Sequence, residues 1–158
     1  MRKITFSLDK SMRLNNVIGF EAQVDNPKFD MEMMLLKMQS YVKTRGTNQV
    51  GPLVQHMRLN ATEQGTIRVQ EEFLFQCSDF ISNPEPPFYS KESIAVRNAM
   101  YSRFVGPQEK LKFAFDKIYL EAFEDDIELN GENYVVFVNN DDPDHRMIDV
   151  FVPKREAE

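Results

Sequence analysis

The chain has 158 residues, 42% hydrophobic and 28% charged, enough for one domain with a real core and too few for two ordinary ones unless they are small. A formal net charge of −6 without a continuous basic stripe excludes nucleic-acid binding through phosphate neutralisation by this chain alone. Cys77 is the single cysteine, which excludes an intrachain disulfide, a four-cysteine zinc site and a Cys-x-x-Cys redox pair.

Thr5, Ser7, Asp9 and Lys10 interrupt any signal-peptide apolar run after Met1, Arg2 and Lys3. No stretch approaches the roughly 18 apolar residues of a membrane span, so a cytoplasmic protein with no membrane partner is expected. Ile4, Phe6 and Leu8 alternate with Thr5 and Ser7 and predict a short added edge strand in an N-terminal extension, 1–16, that Arg13, Leu14, Asn15 and Asn16 interrupt. From Val17 the alternation resumes, with Ile18, Phe20, Ala22 and Val24 on one face and Gly19, Glu21 and Gln23 on the other.

Asp25, Asn26 and Pro27 carry a helix-start signal. Met31, Met34, Leu35, Met38, Tyr41 and Val42 then recur at helical spacing as far as Gly46, a left-handed stop. Met33 falls outside that stripe. Pro52 opens a strand to about Leu59, and 60–65 turn it back into a return strand over 66–75. The segment 76–92, with Pro84, Pro86 and Pro87, is hostile to helix and central strand and reads as a connector.

A strand over 93–104 follows, then Gly106 and Pro107 introduce a second helix over about 108–125, with Leu111, Phe115, Ile118, Tyr119 and Ala122 on its core side. Phe113, Leu120 and Phe123 broaden that apolar surface. Asn130 and Gly131 lead into a last strand pair, Asn133 to Val138 and Ile148 to Pro153, around an acidic turn. The halves 17–75 and 93–153 each read strand, helix, strand, strand, followed by a tail, 154–158. The predicted fold is α+β, a tandem βαββ pseudo-repeat in a single domain, forming a curved antiparallel sheet with two main helices on one face.

Gly51 and Pro52 opening the strand after the first helix, and the closing run Asp149, Val150, Phe151, Val152, Pro153, give the chain a resemblance to the bacterial gyrase-inhibitor-like, AraC-type effector-binding domains. The likeness runs from about Val17 to Pro153. It implies a ligand groove between the halves, small hydrophobic or cationic ligands, and hydrolase-like members among free-standing proteins. The family usually has a glutamate in an aromatic, Glu, any, aromatic segment. The corresponding Tyr134, Val135, Val136, Phe137 lacks that carboxylate. The chain is also similar to uncharacterised proteins encoded near LXG-type toxins, which implies an accessory or chaperone-like role.

If the helices cover the face holding Phe20, Val96 and Val136, alternation sends Glu21, Gln23, Gln55, Arg97, Tyr101, Val135 and Phe137 to the opposite face, as candidate ligand-binding residues for a small hydrophobic or amphipathic ligand. An ordinary solvated sheet face or an oligomer contact is the bland alternative. Glu71 and Glu72 are adjacent in a strand, so they point to opposite faces and cannot act on one atom. His56 and His145 lack ligands at metal-site spacing, and Asp141, Asp142 and Asp144 read as a solvated turn, so no metal and no cofactor is expected. Cys77 reads as structural.

These residues contain no catalytic constellation, and the family resemblance then implies a non-enzymatic small-molecule binding protein that relays to a protein partner. Two alternatives stand beside it: an interaction protein using Met33 or the prolines at 84, 86 and 87, and a hydrolase using Glu21 or Glu71 with Tyr101 or Tyr134.

Overall fold

The computed structural model describes residues 3–156, without the side chain of Lys3. Expectations that fall on residues 1–2 and 157–158, the ends of the predicted extension and tail, lie outside the described residues. The elements in order are β1 (Lys3–Glu21), α1 (Met31–Thr44), β2 (Val54–Ala61), β3 (Ile67–Gln76), β4 (Tyr89–Gly106), α2 (Lys112–Glu124), β5 (Glu132–Asn139) and β6 (Arg146–Pro153). A 3-10 turn over Gln108–Lys110 precedes α2. The strand pairs β1–β3, β2–β3, β4–β6 and β5–β6 are all antiparallel, and with two helices the chain is an α+β protein.

Two compact units divide the chain: an amino-terminal unit, Arg13–Ala95, and a carboxy-terminal unit, Val96–Glu158 with Met1–Met12. In the amino-terminal unit β3 lies between β1 and β2, with Phe20 opposite Phe73 and Gln55 opposite that same Phe73. Ile18, Phe20, Phe73 and Phe75 pack with Met38 and Val42 of α1. Each such large apolar side chain contributes about 1.5–3 kcal/mol on burial. The opposite face carries Gly19, Glu21, Glu72, Leu74, Val54 and His56, because side chains alternate along each strand.

In the carboxy-terminal unit β6 lies between β4 and β5. Met100, Phe104, Val150 and Val152 pack with Ala114, Ile118 and Ala122 of α2, and Ile4 and Phe6 flank that cluster. The other face carries Tyr101, Arg103, Asp149, Phe151, Tyr134 and Val136.

Several boundaries differ from the sequence reading. Ile4 to Leu8 do not form a separate edge strand: β1 continues through Arg13 to Asn16 because Asn16, at φ 51, absorbs the irregularity in the left-handed region asparagine tolerates. The predicted helix start at Asp25, Asn26 and Pro27 is a turn instead, in which the Asn26 side chain accepts from the Lys28 amide at 3.0 Å. The helix begins later because Asp30 supplies the cap, its Oδ1 accepting from the Met33 amide at 3.1 Å. Gly46 ends α1 at φ 78, with the Thr47 amide donating to the Val42 carbonyl. Tyr119, expected on the core side of α2, is 47% exposed.

Candidate functional site

The apolar face of each unit is filled by its helix, so chemistry falls to the other face. In the amino-terminal unit three side chains form a row across adjacent strands: Glu21 on β1, Glu72 on β3 and His56 on β2. His56 Nδ1 donates to Glu72 Oε1 at 2.8 Å, and the Tyr89 hydroxyl donates to Glu72 Oε2. Tyr89, the first residue of β4, reaches the carboxylate over Gly19: a Cβ built there would come within 3.3 Å of its ring.

Burial pushes the Glu72 carboxyl up, but the hydrogen bonds from His56 and Tyr89, with the charges of His56 and Lys91, outweigh it and hold the group below the ordinary carboxylate range. Burial, then the bond to Glu72 and the charges of Glu72 and Glu21, push the Tyr89 phenol far above its ordinary value. Tyr89 therefore keeps its proton and serves as a donor. Glu21 stands directly opposite Glu72 on the same face, a like-charge arrangement that destabilises an antiparallel pair.

Glu21 also lines an open cleft of about 470 Å³, together with 22–26, Arg68, Val69 and Pro87. Its walls mix apolar surface from Ala22, Val24 and Pro87 with Glu21, Asp25 and one guanidinium, Arg68. Gln23 lies in this cleft beyond the end of β1, its Oε1 accepting from Asn26 Nδ2 at 3.0 Å.

The matching face of the carboxy-terminal unit holds a carboxylate that is fully paired. Arg103 grips Asp149 through Nε at 2.7 Å and Nη2 at 2.9 Å, and the Tyr101 hydroxyl donates to Asp149 Oδ1 at 2.9 Å. Burial and then Asp149 push the Tyr101 phenol up to about 12. Lys10 lies 4.0 Å over the Tyr101 ring and Phe151 packs beside it at 5.0 Å between centroids. This cluster is a closed structural network, whereas in the amino-terminal row two carboxylates, Glu21 and Glu72, face each other.

The sequence candidates therefore separate. Glu21, Gln23 and Gln55 belong to the amino-terminal unit; Arg97, Tyr101, Val135 and Phe137 belong to the carboxy-terminal one. Glu21 and Tyr101 lie on the face turned away from their unit's helix, as the alternation predicted. Gln55 does not: it shares the face of Phe73, and its amide donates to Glu71. Val135 and Phe137 pair with Val150 and Ile148 on the α2 side, while Val136, expected under the helix, lies opposite Asp149. Arg97 is exposed and precedes Asn98, whose φ of 53 breaks the alternation, so parity does not place it. The predicted split of Glu71 and Glu72 onto opposite faces stands in the register, and it removes Glu71 from the Glu72 face.

His56, Glu72 and Tyr89 are the residues that sequence reasoning missed as a group. Among the described residues no cluster of His, Cys, Asp or Glu could hold a metal ion, and no helix is long and apolar enough to cross a membrane. Burial pushes the Cys77 thiol up to about 11.

No protein-family model matches the chain, and no curated protein matches it. Solved structures do. The chain is similar to EcmrR in an EcmrR–DNA complex at TM-score 0.64 and 14% identity, covering 99% of this chain and 58% of that one. It is similar to the isolated EcmrR C-terminal domain at TM-score 0.59 and 15% identity, covering 99% and 98% respectively. The chain thus has the fold of a C-terminal domain that makes up little more than half of the longer protein. A hydrolase encoded by lin2189 from Listeria innocua is similar at TM-score 0.50 and 8% identity, over 98% of this chain and 91% of that one. At these identities the likeness is one of fold.

Proposed function

We propose that the chain is a non-enzymatic effector-binding protein that takes a small amphipathic molecule bearing a positive charge. The observation that carries this reading is the Glu21–Glu72 row. Two carboxylates stand opposite each other, one of them held ionised, beside an aromatic ring and a cleft with apolar walls. A cation resting between them relieves their repulsion, and its apolar body covers Tyr89 and the cleft. The Tyr89 proton is committed to Glu72, which favours recognition over turnover.

The gyrase-inhibitor-like reading and its tandem βαββ repeat gain support from the fold of the EcmrR C-terminal domain and from internal register. Asn16 and Asn98 are both left-handed, one residue before the paired stretches of β1 and β4. Glu72 of β3 and Asp149 of β6 occupy like positions, opposite Glu21 and Arg103 respectively. The DNA in the EcmrR complex belongs to that protein; with a net charge of −6 this chain relays binding to a protein partner, not to DNA.

Fluorescence titration with proflavine, a planar cationic dye, tests the reading. Saturable binding is expected, weakened about tenfold by Glu21→Gln and by Glu72→Gln, with Glu63→Gln in the β2–β3 turn as the neutral control. Absence of binding, or binding that neither site substitution alters, overturns the proposal.

A further inference from the structure

The outward side of α2 is apolar where a solvated helix would be polar. Phe123 is 82% exposed, Leu120 54% and Tyr119 47%; Phe113, seven residues before Leu120 and ten before Phe123, falls on the same side but is half-buried, with the Lys112 and Lys110 ammonium groups 5.4 and 6.0 Å from its ring centre. That spacing is the seam of a helix pair.

The charges along α2 also run against its own dipole. Lys110 and Lys112 stand at its amino end, and Glu124, Asp125 and Asp126 at its carboxy end; the first turn contains no acid and the last turn no base. In α1 the order is the favourable one, with Asp30 and Glu32 first and Lys43 last. Each charge at the wrong end costs about 0.3–1 kcal/mol when exposed, and nothing within the α2 backbone offsets it. Glu109 at the basic end and Asp116 within the seam are the two residues that depart from this polarity.

We propose that this face is a self-association surface on which α2 of a second copy of the chain lies antiparallel, about a two-fold axis at the level of Ile118. This arrangement sets Phe113 against Phe123 of the other copy and Lys112 against Glu124, twice by symmetry. Lys110 meets the acidic end, and the two helix dipoles oppose each other favourably. Lys117 takes no part, because it is paired with Glu121 at 2.8 Å in its own helix. One helix face buries less than the roughly 800 Å² per partner of a standard interface, and Asp116 keeps the seam hydrated. The dimer is therefore a weak, micromolar one.

Sedimentation equilibrium on the whole chain tests this, with far-UV circular dichroism to verify folding. A reversible monomer–dimer equilibrium is expected in the micromolar range. K112E and E124K each raise the dimer Kd on the order of tenfold, the combined K112E/E124K chain returns it to near the starting value, and Phe123→Asp abolishes association. Because both charge reversals improve the fit of α2 to its own dipole, weakened association cannot be read as unfolding. A chain that stays monomeric, a dimer unmoved by Phe123→Asp, or a double variant that fails to recover overturns the proposal; the first of these would assign the face to another protein or to residues outside this chain.

Discussion

Gly19 and Tyr89 form one device. With no side chain at 19, the Tyr89 ring settles over β1 and its hydroxyl reaches Glu72; a Cβ there would also meet the Phe73 carbonyl oxygen at 2.8 Å, a backbone atom that cannot step aside. Gly19→Ala is expected to cost about 1–3 kcal/mol, read from the urea midpoint, with the Tyr89 contact displaced. Glu21 was legible because clean alternation from Ile18 to Glu21 fixes which way it points. Val135 and Phe137 were not: the run Tyr134 to Val138 is apolar on both faces, so period two carries no direction and only the pairing with β6 decides. His56 and Glu72 lie sixteen residues apart and meet through the β2–β3 register, where a one-residue slip would separate them.

Among the elements, α1 followed its apolar spacing from Met34 onward and its Gly46 stop, while Met31 is exposed and the helix start did not follow the strongest local signal. Asn26 and Asp30 are both competent caps. Asn26 is used up by the Lys28 amide, and the amide of Met33 goes to Asp30. Asp30→Ala is expected to remove about 1 kcal/mol, whereas Asn26→Ala costs less; thermal denaturation of the two variants side by side distinguishes the true cap. The segment between β3 and β4 is shorter than the connector read over 76–92, because Gln76 still belongs to β3 and Tyr89 to Glu92 already belong to β4. That overreach hid Tyr89 from any list of strand residues. Asn16 and Asn98 show why β1 and β4 outran their patterns: a single left-handed residue lets a strand continue across a break in alternation.

For the whole molecule, the α+β class and the order of the main strands and helices were readable from periodicity and turn residues. What the sequence could not supply was register, which decides which polar groups meet. Acid sensitivity follows from that register. Glu72 sits below its ordinary value of 4.5 in the folded chain. Its contribution is complete above that value and is lost as pH falls through the folded pKa. Melting temperature should therefore drop on acidification below about pH 4.5, and Glu72→Gln should flatten that part of the profile while lowering the plateau at neutral pH.

Cys77, the single thiol of the chain, offers a practical use. Only 2% accessible and with its thiol pushed up to about 11, it is almost wholly unionised at neutral pH and out of reach of alkylating reagents. Iodoacetamide can mark it only in molecules whose amino-terminal unit has opened, so the rate of mass gain is a clock for that opening, read from the native thiol with no substitution in the chain.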